Sequence, residues 1–552
     1  MSNIQSDYQR TSTAEVSRYT EALKNNVTKN GTYDAINTQA SMGDEGVTIP
    51  ENLQIVMDEL GESAITKAIF DGITIYEKAH GCSIPADVVE QAIHSAYGVT
   101  SDAKNKYQLP TLDSASNNAS DPMSLQPNKA IVAILTMMSE AIPFVHYLPA
   151  DIGSNEARLA ILEHQTDSAF GQYEAGAILD GIHSGDAYIS SSRIHKCDVN
   201  AAGNATGKIT IIQDTEETCD PAAPTSHLLR GRSLVYVQGK VVAREVESTG
   251  AGNSAISGKA TVLGVDYAIA GYINTESGEI ALTTTPALPG TFSLVVEAFL
   301  DYERNPNITP KIITSVNVFK LYANPWRVYT QQTIDSRTQM ANELGLDPYS
   351  ESVIGIQQQF SNERHYKVLG MAMRLAANNT LDFDFFWSIN NTKTRSEMFQ
   401  DFATPLGAAD QQMANDTMSH GITHLYVGKF LASMMLSMPS TIFIPSGIAA
   451  RPGIYRIGKL FGRFDVYYTP KIVPESIVNG RQAASVLCIG RAPDVTRNPF
   501  ILGDAVAPSI IPLAVNMDLK TGAAFYARNF TAVNPHAQSS LGCALINLVN
   551  LT

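Results

Sequence analysis

The spacing of apolar positions changes several times along the chain, and each change predicts a different kind of element. Leu60, Ile65, Ala68 and Ile69 recur at helical spacing and predict one helical block in a first stretch, to about residue 125, that is otherwise polar linker. The segment Leu112 to Pro127, rich in Ser, Asn and Asp, reads as extended linker. From Lys129 the chain turns apolar and runs through Pro143-Phe144-Val145-His146-Tyr147-Leu148-Pro149 into Arg158 to His164. These β-prone strips with flanking prolines predict an extended, partly exposed arm.

Between about Asn200 and Asp301 short apolar runs alternate with Gly, Thr and Ser: Lys208 to Ile212, Ser233 to Val242, Thr261 to Ala268, Glu279 to Thr283 and Phe292 to Phe299. Strands at such short, regular spacing predict an inserted β-sandwich or barrel. Its clearest hairpin is Tyr267 to Ile273, a turn over Asn274 to Gly278, and Glu279 to Leu282. After a β-prone stretch from Ile312 to Tyr329 the helical period returns. Asp347-Pro348 offers an N-cap followed by proline at the first helical position. Val353, Ile356, Phe360, Val368, Ala372 and Leu375 then trace an apolar stripe, ending near Asn378-Asn379. Roughly thirty residues of helix would be about 45 Å long. A second helical pattern follows Pro405 through Leu406, Ala409 and Met413, then a strand His424 to Val427 and an apolar helix around Phe430 to Met438. Further strands are expected at Arg463 to Tyr468, Ser485 to Ile489, Ile510 to Val515 and Ala523 to Arg528, before an apolar end at Leu545 to Leu551.

Length and composition add scale to this pattern. At roughly 100–200 residues per domain, 552 residues make several folding units, and 44% hydrophobic content excludes disorder across the whole chain. Charged residues make up 17%, below the usual quarter. So little charge on so long a chain implies surface buried between domains or against other subunits. The formal charge is −15, and no basic run is present, which argues against binding nucleic acid through clustered Lys and Arg. The inserted β-segment, with 6 basic and 11 acidic residues from Asn200 to Asp301, is negative in its own right. Cys82, Cys197, Cys219, Cys488 and Cys543 lie far apart, so neither a disulfide framework nor a zinc site is signalled, and a reducing compartment fits. The polar N-terminus resembles no secretion signal. The apolar stretches Ala130 to Met138 and His424 to Ile444 are interrupted too soon to span a bilayer.

Candidate chemistry is sparse. Gly252 to Ala260 resembles a phosphate loop but ends in Ala260 where a hydroxyl should hold magnesium, and reads as a loop tip. His420 and His424 have metal-ligand spacing only on a helix, and Gly421-Ile422-Thr423 looks like a turn into a strand. His183 and His195 bracket Ser184, Asp186 and Ser190 to Ser192 without a nucleophile elbow, and read as a polar loop. Asp382 and Asp384 flank Phe383 beside Phe385, Phe386 and Trp387. Such an acid pair could act on sugars, but a turn whose aromatics fill a junction is the plainer reading. No catalytic residue, cofactor or metal is assigned.

The order of these segments resembles the Hong Kong 97-like fold of tailed-phage major capsid proteins, as in T-even and large myophage capsids. Pro143 to Pro149 with Arg158 to Glu163 looks like the outgoing strand of that family's extended loop. Asp301 to Pro310 continuing through Phe319 to Ala323 looks like its return, and Thr333 to Asn379 like the helix pair containing the spine helix. His424 to Val427, Ile457 to Tyr468, Ser485 to Gly490 and Phe525 to Pro535 resemble the axial domain and the return to the peripheral domain.

The resemblance implies an α+β capsid fold carrying an inserted all-β domain. It divides the chain into an N-terminal arm region at 1–128, the outgoing arm at 129–200, the β-domain at 201–300 and the loop return with spine helix at 301–394. The axial domain follows at 395–510 and the C-terminal return at 511–552. It further implies a non-enzymatic shell subunit of hexamers and pentamers that encloses DNA without sequence-specific binding and without membrane contact. Its assembly would take place in the host bacterial cytoplasm and its final place would be the virion capsid, with scaffold, portal, vertex and decoration proteins as further partners. Arg158 and Glu163 on the loop, with Glu363 and Arg364 on the long helix, are the expected intersubunit charges. Another virion component, a vertex, sheath or tube protein, is the alternative within this class. A carbohydrate-active enzyme using Asp382 and Asp384 is the alternative outside it.

Overall fold

The computed structural model describes residues 13–24, 49–98, 100, 126–149, 155–246, 252–344, 348–385, 394–478, 480–513 and 517–551. By its contacts the chain forms two units, one of Met1–Ile161 with Val318–Thr552 and one of Leu162–Asn317. The segment 201–300 expected as an inserted β-domain falls inside the second.

The first unit is mixed α and β. Its helices are α1 (residues 13–24), α2 (Glu51–Leu60), α3 (Glu62–His80), α4 (Ala86–Tyr97), α5 (Gln126–Ser139), α6 (Ile334–Leu344), α7 (Pro348–Leu375), α8 (Arg395–Thr417) and α9 (Lys429–Leu436). The expectation of one helical block in a linker-like beginning is corrected here. Leu53 and Val56 on α2, Ile65, Ile69 and Ile73 on α3, and Val88 and Ala92 on α4 bury one face of each helix in a shared core, together with Val368, Leu369 and Ala372 of α7. Glycines set the helix ends: Gly81 closes α3 with φ 66° and its N–H on the Glu77 carbonyl, and a Cβ there would run into the Arg456 guanidinium. The apolar stretch from Ala130 is not the start of an extended arm but the buried stripe of α5, and Phe144, Val145 and Tyr147 after it are fully buried. The linker at 112–127 lies outside the described residues except for its last two, which begin α5.

Six strands carry the argument below: β1 (His146–Tyr147), β2 (Glu156–Thr166), β3 (Ile312–Tyr322), β4 (Asn324–Thr333), β5 (Phe500–Leu513) and β6 (Lys520–Val533). β1, β5, β6 and β4 form a four-stranded sheet in that order, with β6 between antiparallel β5 and β4. β2 and β3 pair with each other as a two-stranded sheet. The long helix is seen as expected: α7 has 28 residues, with Phe360, Val368 and Ala372 buried and Glu363 and Lys367 outside. Asp347, its expected cap, lies outside the described residues. The helix expected after Pro405 instead begins at Arg395, where Thr394 and Glu397 cap each other's backbone N–H groups, and it carries Pro405 within it.

An eight-stranded sheet completes this unit. Its central strands, Cys543–Val549, Arg481–Gly490, Ile422–Val427 and Phe464–Tyr468, read as continuous apolar runs because helices cover them. Phe399 and Phe402 of α8 fill its core with Phe385, Leu425, Val466 and Ile546. Each such aromatic contributes roughly 2–3 kcal/mol by leaving water.

The second unit is built on a nine-stranded sheet, with a small two-stranded one beside it, around its own core of Ala205, Val235, Val237, Ile256, Ile269, Ile273, Leu282 and Val296. Its end strands, Ser192–Lys196 and Asp198–Val199, are separated in sequence by Cys197 alone, so the sheet curls until its edges nearly meet. The expected hairpin is present, with Ile273 opposite Ile280. The phosphate-loop-like stretch is corrected from a loop tip to a strand, Asn253–Val262.

Candidate functional site

The most unusual surface is a run of exposed apolar side chains on β3, β4 and the start of the helix pair. Within the first unit, Val318 and Tyr322 stand exposed on β3, Val328 and Tyr329 on β4, and Ile334 and Met340 on α6. Tyr329 is 68% exposed. β4 is the end strand of its sheet, and its outer edge has no partner among the described residues. The Ile334 N–H donates to the Leu519 carbonyl and so extends the β4–β6 ladder on the paired side of β4; Leu519 is itself exposed. A long apolar strand edge is the geometry that natural monomers avoid, because it offers backbone groups and apolar area to another chain.

The four charges expected at subunit contacts divide by depth. Arg158 is exposed on β2, with its guanidinium 3.1 Å from Glu156, whose second oxygen lies 3.5 Å from Lys320. Glu363 is exposed on α7. Glu163, by contrast, is buried and accepts hydrogen bonds from Asn317 Nδ2 at 3.1 Å and Gln165 Nε2 at 3.4 Å. Arg364 is buried against Asp504 at 3.0 Å and lies over the rings of Tyr147 and Phe360. Burial opposes its charge, while Asp504 and Tyr147 more than restore it and hold the guanidinium protonated.

Two buried polar centres that the sequence did not reveal pin this unit together. Asp87 accepts from the Tyr147 N–H at 2.9 Å and from Arg491 Nη2 at 3.0 Å, with His146 Nδ1 3.2 Å away. Burial pushes its carboxyl up, but His146 and Arg491 outweigh that and hold it down to about 2. Nearby, His80 meets the Tyr467 hydroxyl at 3.0 Å and His365 the Tyr426 hydroxyl at 3.1 Å, while Tyr426 and Tyr467 stack at 5.3 Å. Burial, then neighbouring positive charge, lowers His80 to about 4 and His424 to about 3, and burial lowers His365 to about 3. The contacts in these centres join residues about 40 or more positions apart, so no local motif could announce them.

The remaining candidates are structural. Asp382 and Asp384 lie on a strand, Thr380–Asp384, not a turn. Asp382 accepts from Asn547 at 2.9 Å and Asp384 from Asn550 at 2.8 Å. Phe383 and Phe385 pack on Phe402; Phe386 and Trp387 lie outside the described residues. His424 lies on the strand Ile422–Val427 and His420 just before it, as Gly421-Ile422-Thr423 implied, and no metal-ligand cluster occurs among the described residues. His195 Nδ1 accepts from the Cys219 N–H. An open pocket of about 520 Å³ beside Lys429, Phe430, Tyr468 and Ile477 includes Glu475, whose carboxylate already caps α9 through the Phe430 N–H.

No family model matches the chain, and no curated protein matches it. Among solved structures, the chain is similar to phage capsids. The capsid of the jumbo bacteriophage PhiKZ is 9% identical, with 74% of this chain and 91% of that chain covered at a TM-score of 0.36. The capsid of Myoviridae phage XM1 is 9% identical, covering 44% and 78% at a TM-score of 0.28. The encapsulin complex SrpI from Synechococcus elongatus is 12% identical, covering 43% and 79% at 0.27.

Proposed function

We propose that the chain is the major capsid protein of a tailed phage, assembling with itself into the hexamers and pentamers of an icosahedral shell around double-stranded DNA. The observation that carries this reading is the exposed apolar strand edge of β4 and β3, a surface that a second copy would cover by strand pairing and apolar burial. The low charge content and the sequence resemblance support it. In this reading Arg158 and Glu363, both exposed, meet partners across subunits, while Glu163 and Arg364 serve those contacts from inside by fixing the backbones of β2 and α7. The subunit is not an enzyme; scaffold, portal, vertex and decoration proteins are its further partners, assembly takes place in the host bacterial cytoplasm, and its final place is the virion capsid. With a net charge of −15, the shell would confine DNA without gripping it. The sugar-active alternative loses support because Asp382 and Asp384 are each tied to an asparagine amide.

Electron microscopy of the purified protein, alone and with co-expressed neighbouring genes, tests the proposal. Rings of five or six subunits and closed shells are expected. A protein that stays monomeric under every condition overturns it.

A further inference from the structure

In the unit Leu162–Asn317 the end strand of the nine-stranded sheet, Ser192–Lys196, pairs on one side with Leu294–Phe299. Its outer edge is covered by the small hairpin of Gln213–Thr215 and Thr218–Cys219. The Lys196 N–H donates to the Glu217 carbonyl at 2.7 Å, and the Cys219 thiol donates to the Ile194 carbonyl at 3.5 Å. The next N–H, that of Cys197, points the other way and donates to Leu294 at 2.9 Å. The hairpin is slight: Gln213 with Cys219 and Thr215 with Thr218 make up its ladder, and Asp214, Glu216 and Glu217 stand exposed on it.

His195 holds this hairpin from the strand beneath. The Cys219 N–H donates to His195 Nδ1 at 3.1 Å, so Nδ1 carries the lone pair and the neutral ring keeps its proton on Nε2. The ring is seated on the strand Asn204–Lys208 where a side chain is missing. A Cβ on Gly207 would lie 2.6 Å from His195 Cδ2, 2.9 Å from Nε2 and 3.0 Å from Cys197 Sγ. One half-buried imidazole thus joins three segments: its own strand, the strand of Gly207 and the hairpin. A second proton would make Nδ1 a donor facing the Cys219 donor. Turning the ring over restores nothing, because a ring carbon then faces that N–H. The other titratable groups around the ring are the exposed Asp198 and the thiols of Cys197 and Cys219, both kept protonated by burial.

We propose that the hairpin 213–219 is an acid-released strap: His195 latches it over the edge of Ser192–Lys196, and a proton on that ring frees it and bares the edge. The strap belongs to this unit alone and does not depend on the chain building a shell. Burial lowers the ring below its ordinary 6.5, against a smaller upward pull from Asp198. Because the folded-state value is depressed, the latch is complete above about pH 6.5 and weakens as pH falls. A bared edge presents unpaired backbone groups to which another strand can add.

Hydrogen exchange of the full chain, corrected for the intrinsic pH dependence of the rate, reads the strap in peptides covering 192–198 and 212–221. Opening there should rise as pH falls from 7.5 to 5, up to a ceiling of about thirtyfold set by a ring whose free value is 6.5. Peptides covering 234–245 and 265–285 should keep their protection, which separates release of the strap from unfolding of the unit. In His195→Asn the amide oxygen stands near the place of Nδ1 and takes no proton, so the acid rise should vanish. Asp198→Asn, an exposed change that leaves the ring in place, removes the upward pull, and the response should move to lower pH. Equal acid responses in wild type and His195→Asn would overturn the proposal. So would an Asp198→Asn variant with the wild-type midpoint, or a loss of protection shared by all four peptides.

Discussion

Neighbouring residues on α7 have opposite fates: Glu363 faces water and Arg364 lies over Tyr147 against Asp504. Successive helical residues point about 100° apart, so a charge flanking an apolar stripe falls inside or outside it by a fraction of a turn. The depth of Arg364 is decided by Asp504, 140 positions away, and no window of sequence contains both. The same holds for the buried histidines. Their folded-state values lie below the ordinary 6.5, so the folded chain favours neutral rings. The stability they bring is complete above about pH 6.5 and is lost as pH falls toward 4 and 3. Each titration is worth on the order of a few kcal/mol. His365→Gln keeps an acceptor for the Tyr426 hydroxyl but cannot take up a proton, so thermal unfolding from pH 7 to 4 should show a shallower fall in midpoint than wild type. Equal slopes would mean that His365 is not part of the acid response.

Hairpin turns show what an element demands and what it tolerates. Gln238-Gly239 and Leu263-Gly264 are both two-residue turns with positive φ at each position, the geometry that favours Asn-Gly. Leu263 takes that conformation while 77% exposed, so packing returns nothing for its strain. Phe461, also at positive φ, packs against the core of the eight-stranded sheet and is repaid. The unit Leu162–Asn317 has its own core and should unfold cooperatively as an isolated fragment. In that fragment Leu263→Asn should raise stability by about 0.5–1 kcal/mol, or about 1–3 °C in calorimetry. A lower midpoint would reveal a contact that Leu263 makes within the fold. At this scale the sequence was readable where one local rule dominated: the α7 stripe, the hairpin over Asn274 to Gly278, and the strand His424 to Val427 all lie where periodicity put them. It misled where two rules met. Pro405 read as a helix start although the Thr394–Glu397 capping box lies eleven residues before it, and the β-prone Phe144 and Tyr147 read as exposed because their partners, at Phe500 and Asp87, come from distant segments.

For the whole molecule, composition foresaw what single residues did not. A chain with 17% charge needs somewhere to hide uncharged surface; part of that surface stands on β3, β4 and α6, and the outer edge of β4 has no strand beside it among the described residues. The four expected charges split by depth, two exposed and two buried, so the decisive test of assembly targets the apolar edge. Val328 and Tyr329 are both exposed, and substitutions there should change subunit stability by no more than about 0.5 kcal/mol. A lysine on a free edge opposes pairing with another strand, because it places charge where the partner's apolar side chains would lie. Val328→Lys and Tyr329→Lys should therefore leave the thermal midpoint of the isolated subunit within about 2 °C of wild type while abolishing rings and shells in electron micrographs and shifting sedimentation to the monomer. Shells formed as readily by both variants as by wild type would remove this edge from the assembly contact, and a matched loss of folding would assign it to the subunit's own stability.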